Sequence, residues 1–358
     1  MNAFAASWKG AALSLAVGVL LLFALPMVID EYTLLQVTIY AVMSILGVSL
    51  GFIWGYGGIL CFGQAAFFGL GSYTYAIAVI NMGDSTVPFL LAIAVPALFA
   101  AILGYVIFYG RLSDVYMGVI TLTVTLILFN LVNSTAGPEW RIGSAPLGGF
   151  NGIPAIPTLN VPGQTDNVLS PKDLFYVTFV CLLLVYLGLR VLISSKIGRV
   201  MIAAKENEQR VLLLGYDARA YKLFCFTLGG AIAGLAGCLF ANWGAFTSPT
   251  IFGLAQSAQI IIWVIVGGLG TLVGPIVGCV AIQWLTTQIG TQQTFNSNLV
   301  LGVILVGFVL LVPRGIVPSV LSLGDWVLRR TRSSAAAVPH EPAPKAEPSK
   351  VNSSGQAA

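Results

Sequence analysis

The sequence predicts an all-α polytopic membrane protein of about ten transmembrane or re-entrant helices with both termini cytoplasmic, on three observations. Hydrophobic residues make up 57% of the chain and charged ones 8%, against an apolar share nearer ~45–50% in soluble domains. Ten apolar stretches approach the ~20 residues that cross a ~30 Å hydrocarbon core. Lys and Arg fall almost wholly into alternate connections, as they do where basic loops stay in the cytoplasm.

The stretches lie near residues 11–29, 34–53, 63–81, 88–110, 115–133, 173–193, 222–242, 257–272, 274–290 and 297–312. Lys9 before the first would suit a secretory signal, but the run ends in "FALPMVIDEY" without a small-x-small cleavage site, so it reads as a span. With the N-terminus inside, Lys9, Arg111, the group from Arg190 to Lys222, Arg314 and the Arg329 to Arg332 cluster are cytoplasmic, and only Arg141 and Lys172 lie outside. Fifteen basic residues to two, counting the tail, supports an even number of spans with both termini inside. The net charge of +4 therefore reports membrane orientation and not nucleic-acid binding.

Three polar regions interrupt or follow the membrane domain, residues 1–332. Residues 134–172 form an external loop rich in Pro, Gly and Asn, too long for a mere connector and so either functional or partly disordered. Residues 194–221 form a cytoplasmic loop. The tail, 333–358, has a Pro, Ser and Ala composition that cannot bury a core and predicts disorder.

Glycines recur at helical spacing: Gly47, Gly51 and Gly55; Gly230 and Gly234; Gly270, Gly274 and Gly278. Small faces of this kind let membrane helices approach closely. Two segments read as interrupted helices, "GYGGILCFGQAAFFGLGSY" (55–73) and "VGGLGTLVGP" (266–275); for the second, a tight cytoplasmic turn is the plainer reading. Irregular backbone in a bilayer is tolerated where it is buried in protein or lines a wet cavity, and paired breaks point to a solute pathway. Gly58, Gln64, Phe67 and Gly69 of the first break, with Thr121 and Thr125 on one helix face with Gly118, are the candidate lining residues. Helix-to-helix bonding is the plainer alternative for each.

Enzyme chemistry finds no support. The run "GGLGTLVG" lacks the Lys-Ser/Thr ending of a phosphate loop and the G-x-G-x-x-G spacing. No Ser/His/Asp set or zinc spacing appears, and the only histidine, His340, is in the tail. Cysteines 61, 181, 225, 238 and 279 sit in or beside apolar segments and read as small core hydrophobes, neither disulfides nor metal ligands. Ion-coupled transport needs ionisable groups inside the membrane, and the spans carry none beyond their ends. A stand-alone secondary transporter or channel is the rival that would have to run without them.

Nine of the thirty charged residues crowd into 195–222. Asn207 before Glu208 and Gln209 reads as an N-cap with an acidic first turn, Gly215 as a helix stop, and Asp217 as the cap of the next span. The result is a short helix, about 208–214, outside the bilayer. Its apolar block Val211–Leu214 predicts burial, either on the membrane surface or as a plug in a groove of a soluble partner.

At this point a family is recognisable. The segment "IGRVMIAAKENEQRVLLLGYDARAYKLFCFTLGGAIAGLAGCL" resembles the cytoplasmic loop and following span of permease subunits of ABC importers for branched-chain amino acids, and of the related urea permeases. The resemblance continues in "IWGYGGILCFGQAAFFGLGSYTYA" (53–76), "GGFNGI" (148–153), "IWVIVGGLGTLVGP" (262–275) and "VPRGIVP" (312–318). It implies a homologous second permease subunit, two cytoplasmic ATP-binding subunits, an extracytoplasmic solute-binding protein and a place in the bacterial inner membrane. It also implies that this chain binds no cofactor, ATP being held by the partner subunits. Carried over, Lys205, Glu206, Asn207, Glu208, Arg210, Leu213, Gly215 and Asp217 form the ATPase-coupling loop. The chain reads "ILCFGQ" where many members have Leu-Ser-Leu-Gly-His, so Cys61, Phe62 and Gln64 depart from the pattern. The solute is left between branched-chain or related hydrophobic amino acids and urea or another short amide.

Overall fold

Helix after helix follows the apolar stretches, in a computed structural model that describes residues 8–110, 112, 114–137, 139–161, 163–291, 302, 307 and 315–320. In order these are α1 (Trp8–Val28), α2 (Glu31–Gly55), α3 (Gln64–Met82), α4 (Thr86–Tyr109), α5 (Asp114–Asn133), α6 (Pro171–Ser194), α7 (Lys196–Glu206), α8 (Glu208–Leu213), α9 (Ala218–Gly244), α10 (Leu254–Gly267) and α11 (Val273–Thr291). Residues 321–358, which include the tail predicted to be disordered, lie outside the described residues.

Among the described residues, six helices are long and apolar enough to cross a membrane: α2, α3, α4, α6, α9 and, from Val115, α5. Their ends fall within a few residues of the predicted stretches because local signals set them. Asp30, for example, caps α2 by accepting from the Thr33 amide at 3.2 Å and hydroxyl at 2.7 Å, and the Thr33 hydroxyl holds its carboxyl below the usual range. The stretch at 257–272 forms a shorter helix than the other predicted stretches among the described residues. It is a helix of 14 residues, about 21 Å long at 1.5 Å per residue and short of a ~30 Å core. The last predicted span, 297–312, lies outside the described residues apart from Gly302 and Gly307.

The core is built round α2 and α9. In α2 83% of the most apolar window is buried, against 22% in α5 and 28% in α4 and α6, so α2 is central and the other three face outwards. On α9, small residues bring neighbouring backbones together: a Cβ on Gly71 of α3 would lie 2.6 Å from the Gly234 Cα. The predicted small stripe of α2 likewise meets α11 and the turn before it, with Gly47 and Gly51 against Pro275 and Gly55 against Gly270. Between these crossings the gaps are filled by rings, Phe67 standing edge-on to Phe226 at 5.4 Å and Phe226 to Phe108 at 5.8 Å.

The loop at 134–172 has regular structure of its own among its described residues. It carries two antiparallel hairpins, β1 (Arg141–Ile142) with β2 (Ala145–Pro146) and β3 (Asn160–Val161) with β4 (Gln164–Val168). Long-range bonds pin it to the helices: Ser85 N–H donates to Asn160 Oδ1 at 2.9 Å, Ser144 N–H to Asn81 Oδ1 at 2.8 Å and Tyr75 O–H to the Pro157 carbonyl at 3.1 Å. Ile153 pairs with Thr247 just beyond α9.

Candidate coupling hairpin and pathway residues

Between α6 and α9 the polar stretch folds into two helices. Ser195 ends α6 and opens α7, its hydroxyl accepting from the Gly198 amide at 3.4 Å. Asn207, in extended backbone, then breaks the chain into α8 and accepts from the Arg210 amide at 3.0 Å. Glu208, in the first turn of α8, pairs with Lys222 of α9 at 2.7 Å. The stop is a Schellman motif: Gly215 N–H reaches the Leu212 carbonyl at 3.0 Å and Tyr216 N–H the Val211 carbonyl at 3.2 Å. Gly215 sits at φ +83°, where a Cβ is disfavoured. Asp217 caps α9, accepting from the Arg219 amide at 3.1 Å.

The apolar block divides in two. Val211 is buried with Ala204 and Ala218, in a small cluster with Val200 and apart from the main core. Leu212, Leu213 and Leu214 are 46%, 87% and 74% exposed, so the described residues cover none of the three. Glu206, Arg210 and Asp217 are also exposed, giving an apolar knob ringed by charge. Lys205 turns the other way: its Nζ donates to the Gly55 carbonyl, at the end of α2, at 2.8 Å.

The candidate pathway residues gather at the break between α2 and α3, residues 56–63, and all are packed. Gly58, at φ +70°, lies under the Lys205 stem, where a Cβ would meet Cγ at 2.8 Å. Gln64, which opens α3, is buried and donates to Ser49 Oγ at 2.7 Å and to the Gly229 carbonyl at 3.2 Å, while its Oε1 has no protein partner. Phe67 is buried against Phe226 and Phe99, and Gly69 abuts the Phe252 ring. Thr121 accepts from the Phe62 amide at 3.2 Å and donates to the Gly118 carbonyl at 2.9 Å; Thr125 donates to the Thr121 carbonyl at 2.8 Å. The Gly118, Thr121 and Thr125 face of α5 is therefore the one that holds the broken segment. The opposite face, with Tyr116, Val119, Thr123, Ile127 and Asn130, is exposed.

The second break, between α10 and α11, is a tight turn with Gly268 and Gly270 at positive φ. It lies against the first: Tyr56 O–H donates to the Gly270 carbonyl at 3.1 Å. Sequence reasoning missed α7 and Ser49. The α7 signal was present, since Ser195 precedes a helical pattern of Ile197, Val200, Met201 and Ala204; nothing in the apolar run of α2 singled out Ser49.

Among the described residues no group of His, Cys, Asp and Glu could hold a metal ion. A bundle of apolar spans, broken twice at glycines and tied there to a polar helical hairpin, is the build of a multi-pass membrane permease. Comparison with known proteins narrows this. Residues 31–312 match the family described as "Branched-chain amino acid transport system / permease component", and the chain belongs to that family.

It is 30% identical to the high-affinity branched-chain amino acid transport system permease protein LivM of Escherichia coli K12, over 82% of this chain and 72% of that one. A probable branched-chain amino acid transport permease protein LivM of Methanocaldococcus jannaschii is 24% identical over 56% of this chain and 65% of its own length. A shorter match, 33% identical over 27% of this chain and 29% of the relative, is to the autoinducer 2 import system permease protein LsrC of Escherichia coli O9:H4. No solved structure matches. The protein is a transport subunit and not an enzyme.

Proposed function

We propose that the chain is one of two homologous membrane subunits of an ABC importer in the bacterial inner membrane, moving branched-chain or related hydrophobic amino acids inwards. Both termini and the α7–α8 hairpin face the cytoplasm, where two ATP-binding subunits hydrolyse ATP; this chain binds no cofactor. A solute-binding protein delivers cargo from outside and meets the loop at 134–172, on which Trp140, Ile142 and Phe150 are 48%, 52% and 65% exposed.

The observation that carries the reading is α8. Its ends are fixed by the Asn207 cap and the Gly215 stop, and Glu208 fixes it to α9. Three leucines at its C-terminal end, Leu212 to Leu214, remain exposed. Such a knob suits the groove of a partner, and a partner that changes shape on binding ATP can then move the spans between inward-open and outward-open packings. The membrane-surface alternative leaves the same leucines on lipid headgroups. The relatives named favour amino acids over the urea-type solute. The test is ATP-dependent uptake into proteoliposomes of the complex with its binding protein. Labelled leucine, isoleucine and valine are expected to accumulate and urea not; uptake of urea alone would overturn the assignment.

A further inference from the structure

Lys205 belongs to the polar hairpin by sequence, but its side chain faces the spans. Its ammonium group donates to the Gly55 carbonyl at 2.8 Å, where the last carbonyls of α2 lack helical partners and the helix dipole favours a cation. Its stem covers Gly58 so closely that a Cβ there would lie 2.8 Å from Cγ. One residue from the Lys205 contact, Tyr56 bonds the turn between α10 and α11, and a Cβ on Gly55 would lie 3.1 Å from the Gly270 nitrogen. The α2–α3 break and the α10–α11 turn therefore meet each other, and the hairpin is hydrogen-bonded to them through the Lys205 side chain. At this same end α7 packs on α8 through Ala204, next to Lys205, and Val211.

We infer that Lys205 is the positioning residue that transmits movement of α8 to these two glycine breaks, which together form a gate at that end of the pathway. The inference rests on the reading of α8 as the ATPase contact. A pull on α8 moves α7; the ammonium carries the end of α2 with it, and Tyr56 carries the second turn. Without the bond, α8 can still follow the ATPases while the breaks stay where they are.

The experiment uses the complete importer in proteoliposomes with its binding protein, reading both solute moved and ATP hydrolysed. In Lys205→Met, which keeps the stem but loses the donor, the ATPases are expected to co-purify as in wild type while solute moved per ATP falls about tenfold, the order expected for losing a charge-assisted hydrogen bond. Lys205→Arg should restore most of the ratio. Gly58→Ala, which displaces the stem and leaves the charge, should reproduce the loss independently. A wild-type ratio in Lys205→Met or Gly58→Ala overturns the inference, and so does loss of ATPase co-purification in Lys205→Met, which would make the residue part of the docking surface. Failure of the α8 reading shows separately, as retained ATPase binding in Leu213→Asp.

Discussion

Leu213→Asp puts the α8 reading to its sharpest test, because the side chain is 87% exposed in the isolated subunit. An exposed substitution of this kind changes the stability of the chain itself by no more than about 0.5 kcal/mol. In a partner's groove the same change loses about 1.5–3 kcal/mol of apolar burial. With the uncompensated carboxylate the cost becomes on the order of 3–5 kcal/mol, a roughly 10²–10⁴-fold loss of affinity. Gly215→Val attacks the same helix differently. A Cβ there meets nothing within 4 Å, so its whole effect comes from the φ of +83°, about 1–2 kcal/mol of backbone strain that loosens the stop. The assay is co-purification of the ATP-binding subunits, together with stimulation of ATP hydrolysis by loaded binding protein. Both variants should insert normally, with Leu213→Asp abolishing co-purification and Gly215→Val weakening stimulation. Wild-type values in both would refute the docking reading and leave α8 as a membrane-surface helix. Val211→Asp is the contrast: Val211 is 3% exposed, so that change should destabilise the hairpin and lower the amount of folded subunit.

Orientation can be read by placing single cysteines at Phe150 and Ser194, both exposed, in a cysteine-free background. An impermeant thiol reagent outside whole cells should label the first and spare the second, and the reverse pattern would invert the topology. Gly71→Val drives a side chain against the Gly234 backbone, which cannot rotate away as a side chain could; at least about 1–3 kcal/mol of overpacking should show as a lowered melting temperature in detergent. Asn160→Ala removes the Oδ1 acceptor of the Ser85 amide and hydroxyl, leaving a buried amide without its partner at a cost of about 1–3 kcal/mol. Limited proteolysis within 134–170 should become faster, while the helices stay intact.

What the sequence revealed and what it hid follow from the range of the forces involved. Asn207, Gly215 and Asp217 act within three or four residues, and α8 was legible almost to the residue. Apolar length placed α2 to α6 and α9 equally well, because water excludes such runs whatever they pack against. Direction was harder to read. Thr121 and Thr125 mark a face of α5, but only the folded chain shows that this face grips Phe62 and that Thr123 and Asn130 occupy the open one. The order of residues 134–170 was hidden in the same way, since Asn81, Ser85, Tyr75 and Thr247 lie far from it in sequence. Lys205, read as one more charge in a polar run, took its meaning from a carbonyl 150 positions away.

The meeting of α3 with α9 at Gly71 and Gly234 has a mechanical consequence. Two backbones in direct contact have no padding of rotatable side chains between them, so they cannot slide by exchanging rotamers as leucine-filled seams can. Ala92 and Pro96 of α4 close on Gly234 from another side, and Ala100 does so on Gly230. These three helices behave as a keel. Rearrangement of the subunit then falls to the parts packed around it, above all α5, whose Gly118–Thr121 face holds Phe62 of the segment 56–63. A transporter of this build should be stiff in its middle and supple along one flank.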